Sequence, residues 1–193
     1  MSQVTAPDAR ARLLDAAVES FAAKGFHGTT TRDIAAAAGM SPAALYVHHR
    51  SKEELLHAIS RVGHEQTLAS VDEALASADE PVAQLRAVMR AFTLHHARNH
   101  TTARIVNYEL AALSEDHLAE ITAIRHEIEG RMRGLVEAGV AAGAFTSPNP
   151  RMTALALLSL GVDTARWYRD EGDWSPEDVA EHYAELALRI VGA

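Results

Sequence analysis

Three consecutive hydroxyls, Thr29, Thr30 and Thr31, followed by the cation Arg32, put side-chain donors and unpaired backbone N–H groups at a helix start, an arrangement suited to holding a phosphate. Lys52 stands in the first turn of a later helix, where the dipole disfavours a cation unless an anion is near; a phosphate supplies one. A second chemistry comes from His95, His96 and His100. His96 and His100 are four apart on one helical face, a spacing that chelates a divalent ion, with His64 or Glu109 able to complete the set. A metal-responsive protein is therefore the second reading. Catalysis has no comparable footing: no Gly-rich phosphate loop, nucleophile elbow or helical metalloprotease motif occurs, and without cysteine there is no thiolate nucleophile or disulfide. The chain is expected to be neither an enzyme nor the carrier of a cofactor.

The elements that must position these residues are all helical. Alanine, leucine and glutamate dominate, and apolar residues recur at spacings of three and four, so the expected fold is all-α. A first helix over about Asp8–Lys24 stops at Gly25 in a left-handed cap. A short helix near Thr31–Ala38 ends at Gly39, and another opens at Ser41-Pro42, where serine caps and proline takes the first helical position. A fourth starts at Ser51, with Glu54 at capping-box spacing, and runs toward Ala76. Further helices are expected over Val82–Arg98, about Thr102–Leu113, from Ser114 to about Ala142, over Pro150–Arg169 and over Pro176–Val191. The result is an N-terminal three-helix head (1–53) fused to a bundle of about six helices (54–193). Two short helices joined by a tight glycine turn form a helix-turn-helix, whose second helix can lie in the major groove.

Charge supports this division. The 193 residues carry a net charge of −8, yet residues 1–61 are net +1 with four histidines besides, and residues 62–193 are −9. A head facing nucleic acid and a body that avoids phosphate fit that asymmetry. The longest nearly uncharged apolar stretch, Thr153–Val162, falls far short of the roughly 20 residues that span a bilayer. Asp8, Arg10, Arg12 and Asp15 also break up any signal-peptide core, so a cytoplasmic protein without membrane partners is expected.

The residues Gly25-Phe26, Thr29-Thr30, Ile34-Ala35, Ala38-Gly39-Met40-Ser41, Leu45-Tyr46, His48 and Lys52-Glu53-Glu54-Leu55 make residues 8–57 similar to the N-terminal signature of the TetR family of transcriptional regulators. The resemblance implies a homodimer that binds a palindromic double-stranded DNA operator as a repressor. Tyr46 and His48 would then reach the DNA backbone beside Thr29, Thr30, Thr31 and Lys52. Arg32 and the helix tip Ser41, Pro42, Ala43 and Ala44 are the candidates for base contact, the proline and alanines offering only an apolar surface such as a thymine methyl needs. Sequence preference would then come largely from Arg32, Thr31 and DNA shape. The chain departs from the family at Ala43, where glycine is common, and at His49, where phenylalanine usually packs the head. The His49 ring is expected either to pack the head, the favoured role, or to turn outward toward the phosphates.

The resemblance also implies a body that binds a small molecule among its central helices and dimerises through its last two. Stripes at Leu155, Leu158, Val162, with Trp167 and Tyr168, and at Val179, Tyr183, Leu186, Ile190 exceed what one monomer's core needs. For the pocket, Phe92, Leu94, Ile105, Val106, Leu110, Ile121, Ile124 and Ile128 offer walls. His96, Arg104, Asn107, Tyr108, Glu109 and Arg125 offer polar groups, and Trp167 is a further candidate. Residues 104–110 and 165–168 resemble members of the family tied to lipid or acyl-CoA metabolism, which implies a hydrophobic, acyl-thioester-like effector.

Overall fold

Each helix begins and ends where the local chemistry requires. The computed structural model describes residues 8–193, so residues 1–7 of the expected head lie outside the described residues. Helix α1 spans Ala9–Gly28, with a break at Gly25 (φ 71°, ψ 164°). The expected left-handed cap is thus a more extended, glycine-only conformation that turns the chain toward Phe26. Helix α2, Thr31–Ala37, opens on a complete capping box between Thr30 and Asp33. It closes on Gly39 (φ 68°), with Gly39 N–H donating to Ala36 O and Met40 N–H to Ala35 O. That paired 5→2 and 6→1 pattern stops α2 and swings the chain into α3, Pro42–His48, capped by Ser41.

The body holds α4 (Lys52–Ala76), α5 (Pro81–Arg98), α6 (His100–Tyr108), a short 3-10 turn (Leu110–Ala112), α7 (Glu115–Ala141), α8 (Pro150–Trp167) and α9 (Pro176–Ile190). Ser51, Ser114, Asn149 and Ser175 each cap the helix that follows. Two expectations shift. Glu54 bonds the Arg50 N–H at 2.5 Å instead of closing a capping box on Ser51. The helix expected over Thr102–Leu113 starts at His100 and stops at Tyr108, because the chain tightens into the 3-10 turn before Leu113 is buried.

Two apolar cores organise the chain. One gathers Leu13, Phe21, Phe26, Ile34 and Leu45 of the head, and extends through Leu55, Leu56 and Ile59 of α4 to Ile105, Val106 and Ile121 of the body. The other joins α4, α5, α7, α8 and α9 around Met89, Phe92, Met132, Leu157 and Leu188. Helix α5 touches every other helix of the body from α4 to α9. Helix α4 enters both cores, so it is the rigid element running from the helix-turn-helix to the centre of the body. Among the described residues no helix is long and apolar enough to cross a membrane.

Candidate functional site

The head presents one polar face. Arg32, Tyr46, Val47 and His48 are exposed, as are Ser41, Pro42 and Ala43 at the tip of α3. Tyr46 is held by a hydroxyl–hydroxyl hydrogen bond of 3.1 Å to Thr31, which ties the start of α2 to the outer side of α3. Thr30 spends its hydroxyl on Asp33, whose carboxyl is held far below its usual range, first by Lys24 and then by Thr30. His49 is buried, and burial pushes its imidazole pKa down; it packs the head as expected.

Two residues expected at phosphates sit otherwise. Thr29 is 1% exposed and donates its hydroxyl to Ser20 O and Gly25 O. Lys52 turns back across the head: Nζ donates to Phe26 O at 2.8 Å and Thr29 O at 2.9 Å, and lies 4.4 Å from the centre of the Phe26 ring. The negative partner that the dipole argument demanded is thus a set of backbone carbonyls.

A cavity of about 650 Å³ lies in the body, within the usual size of small-molecule sites. Helix α4 contributes Gly63, His64, Gln66 and Thr67; α5 contributes Phe92 and His96; α6 contributes Asn107 and Tyr108; α7 contributes Arg125; and α8 contributes Leu155, Leu158 and Val162. A chain of hydrogen bonds crosses its wall. Ser60 O accepts from His64 Nδ1 at 2.8 Å, so His64 Nε2 is the acceptor for Arg125 Nη1 at 3.1 Å; the same nitrogen donates to Asn107 Oδ1 at 2.9 Å. Burial lowers the pKa of His64 to about 4, helped by the nearby Arg125 charge, and lowers that of the deeply buried His96 to about 4. Both rings are therefore neutral near pH 7. Burial also pulls down the pKa of the Arg125 guanidinium.

Of the expected ligand residues, Phe92, His96, Asn107, Tyr108 and Arg125 line this cavity, whereas Arg104, Ile124 and Trp167 do not. Arg104 lines a smaller cleft of about 410 Å³ between α1 and α6. Ile124 packs against the body core, and Trp167 stands beside Tyr168 and Tyr183 on the outer side. The histidine set does not converge either. His96 Nδ1 bonds Phe92 O inside the cavity, while His100 Nδ1 bonds Ala97 O and its ring lies against Tyr168. Among the described residues no group of three His, Asp or Glu side chains is placed to hold a metal.

Comparison with known proteins decides the family. A domain model described as "Bacterial regulatory proteins, tetR family" matches residues 13–59, and one described as "Tetracyclin repressor-like, C-terminal domain" matches residues 78–191. The chain belongs to the TetR family. Its head is the family's DNA-binding helix-turn-helix, and its body is the family's C-terminal helical domain. A TetR-family regulatory protein from Rhodococcus RHA1 of known structure is 41% identical, with a TM-score of 0.92 and 97% of this chain and 99% of that one covered. The transcriptional repressor KstR2 of Rhodococcus jostii is 32% identical over 184 residues, 93% of this chain and 89% of the repressor. AibR, solved with isovaleryl coenzyme A and operator DNA, is 26% identical, with a TM-score of 0.85 and 93% of this chain and 97% of that one covered.

Within this TetR-family framework, sequence reading passed over Val47, 79% exposed on the outer face of α3, and Gln66 and Thr67 of α4 in the cavity wall. An exposed valine next to Tyr46 was a usable signal. The inward turn of α4 at His64–Thr67 was not, since that stretch carries no distinct apolar stripe.

Proposed function

We propose that the protein is a homodimeric transcriptional repressor that binds a palindromic operator through α3 and the start of α2 and is released by a hydrophobic acyl compound held in the cavity of the body. In this reading residues 1–53 form the DNA-binding head and residues 54–193 the sensing and dimerising body. The observation that carries it is α4: its first turns pack in the head core, and His64, Gln66 and Thr67, about three turns further on, face the cavity. A ligand that moves the cavity wall therefore moves the helix on which the head is built, and it shifts the population of head spacings to the extent that it favours one of them.

Exposed Met152, Trp167 and Ile190 on α8 and α9 support dimerisation through the last two helices. Of the other expected stripe residues, Val179 and Tyr168 are buried, Leu155, Leu158 and Val162 line the cavity, and Tyr183 and Leu186 are half-buried. Two heads on a two-fold axis meet half-sites about one helical turn apart, roughly 34 Å. The 32% identity to a repressor and the bound isovaleryl coenzyme A of AibR support repression and a thioester-type effector. The family and its DNA-binding role also support a protein that is not an enzyme and works in the cytoplasm.

Native mass spectrometry of the purified chain tests this. The expected spectrum is a dimer carrying an acyl compound that, added back, releases a DNA fragment from upstream of the gene. A monomer that binds DNA unchanged by any copurified compound contradicts it.

A further inference from the structure

Neither carboxylate in the cavity wall bonds Arg125. Glu129 Oε1 is buried without a hydrogen-bond partner, 4.0 Å from both Arg133 and Arg151, and Asp163 pairs with Arg166 at 3.1 Å and accepts from the Tyr108 hydroxyl at 3.3 Å. Among the described residues no carboxylate lies within 4 Å of Arg125, a largely buried guanidinium whose bonded partners, His64 Nε2 and Asn107 Oδ1, are both uncharged. Both bonds use Nη1, so Nε and Nη2, with three N–H groups in a planar fork, have no partner among the described residues. These nitrogens are not among the sealed, unsatisfied polar atoms. They stay accessible in a cavity whose wall mixes the apolar Phe92, Val106, Ile128, Leu158 and Val162 with uncharged polar groups and one other cation, Arg151. Keeping an uncompensated cation in such a place is costly unless something anionic visits it.

We propose that the Nε/Nη2 fork of Arg125 binds the anionic oxygens of the effector, so that the effector is an anion on an apolar body and not a neutral hydrophobe. This rests on the cavity being the effector site. Two oxygens of a carboxylate or phosphate match the spacing of the fork, and His64 and Asn107 fix its orientation from behind. The anion is either the carboxylate of a free acid or a phosphate of its coenzyme A thioester.

Calorimetry on the full chain separates these outcomes with three probes of one chain length, hexanoate, hexanamide and hexanoyl-coenzyme A. If the anion is a carboxylate, the wild type prefers hexanoate to hexanamide by about tenfold or more, as expected for hydrogen bonds to a charged group. Arg125→Gln then brings the ratio to within twofold while leaving hexanamide unaffected, and Arg125→Lys falls between. If the anion is a phosphate, hexanoate and hexanamide bind alike, and Arg125→Gln weakens hexanoyl-coenzyme A alone by at least tenfold. Binding of every probe that is unchanged in Arg125→Gln overturns the inference. So does binding of hexanol where none of the three probes binds, an outcome that leaves the cavity reading standing. Leu158→Trp fills the cavity; probe binding that survives it sinks the cavity reading itself, and a wild type that binds neither hexanol nor any of the three probes sinks both.

Discussion

The imidazole rings of His57 on α4 and His117 on α7 stack 3.7 Å apart at an interplanar angle of 4°. His57 Nε2 meets Glu120 at 2.7 Å, and His117 Nδ1 meets Glu53 at 2.8 Å, so each carboxylate crosses between the helices. Glu53 also accepts the Ser114 N–H at 2.9 Å. Burial alone pushes the Glu53 carboxyl up, but the bonds from Ser114 and His117 outweigh it and hold the group below its usual range. This cluster clips the first turns of α4, next to the head, to the N-terminus of α7, which carries Arg125 further along.

Glu53→Ala removes two hydrogen bonds from a half-buried acceptor and leaves the Ser114 N–H exposed at a helix start. A loss of about 1–2 kcal/mol in urea-unfolding free energy is expected. An unchanged unfolding midpoint contradicts the clip.

Lys52 and Tyr46 are expected to differ in kind. Lys52→Ala deprives the carbonyls of Phe26 and Thr29 of their donor and is expected to cost about 1–2 kcal/mol of stability along with DNA affinity. Tyr46→Ala, at a half-exposed ring, leaves the melting temperature within about a degree and weakens binding to every duplex alike. Arg32→Ala is expected to alter preference among duplexes. Thermal melts beside anisotropy titrations check all three; a Lys52→Ala protein as stable as wild type argues that the lysine serves DNA alone.

Gly139 in α7 lies directly under the ring of Phe145, and a Cβ there would fall inside that ring. Gly139→Ala therefore gains roughly 1 kcal/mol of helix propensity but displaces a buried aromatic, for a net loss of about 1–2 kcal/mol. Gly134→Ala on the same helix, with open space around it, is expected to stabilise. Chemical denaturation of the pair checks this, and equal effects would refute the packing argument.

His64 and His96 have pKa values lowered to about 4 in the fold, chiefly by burial, against about 6.5 in an unfolded chain. Between those values the unfolded chain binds more protons, so stability is complete above pH 6.5 and is lost as pH falls toward 4. From pH 7 to pH 5 the loss is roughly 2 kcal/mol per histidine. His96→Gln, beside His95 and Arg125, is expected to flatten this dependence. Stability that rises on acidification contradicts buried neutral rings.

Much of the fold was legible because the helix boundaries are written in local chemistry. Ser41-Pro42 and Ser51 act only on their own next turn, and both serines cap the helices expected there. The departure at His49 left its ring two places, in the head core or toward the phosphates, and the fold buries it. The partners of Thr29 and Lys52 were not legible. Three identical threonines do not reveal which one turns inward, and the carbonyls that answer Lys52 lie more than twenty residues earlier, at the end of α1. Arg125 was visible as a polar group near the pocket, but its want of a carboxylate depends on where Glu129 and Asp163 find theirs.

Selection of bound duplexes from a random DNA library by the purified chain, read by sequencing and by the mass of the complex, tests the central claim most directly. The predicted result is one enriched palindrome with half-sites about one helical turn apart, occupied by two copies of the chain, whose affinity falls steeply with salt. Recovery of no enriched sequence, or of a single asymmetric site bound by one copy, would contradict the two-headed repressor.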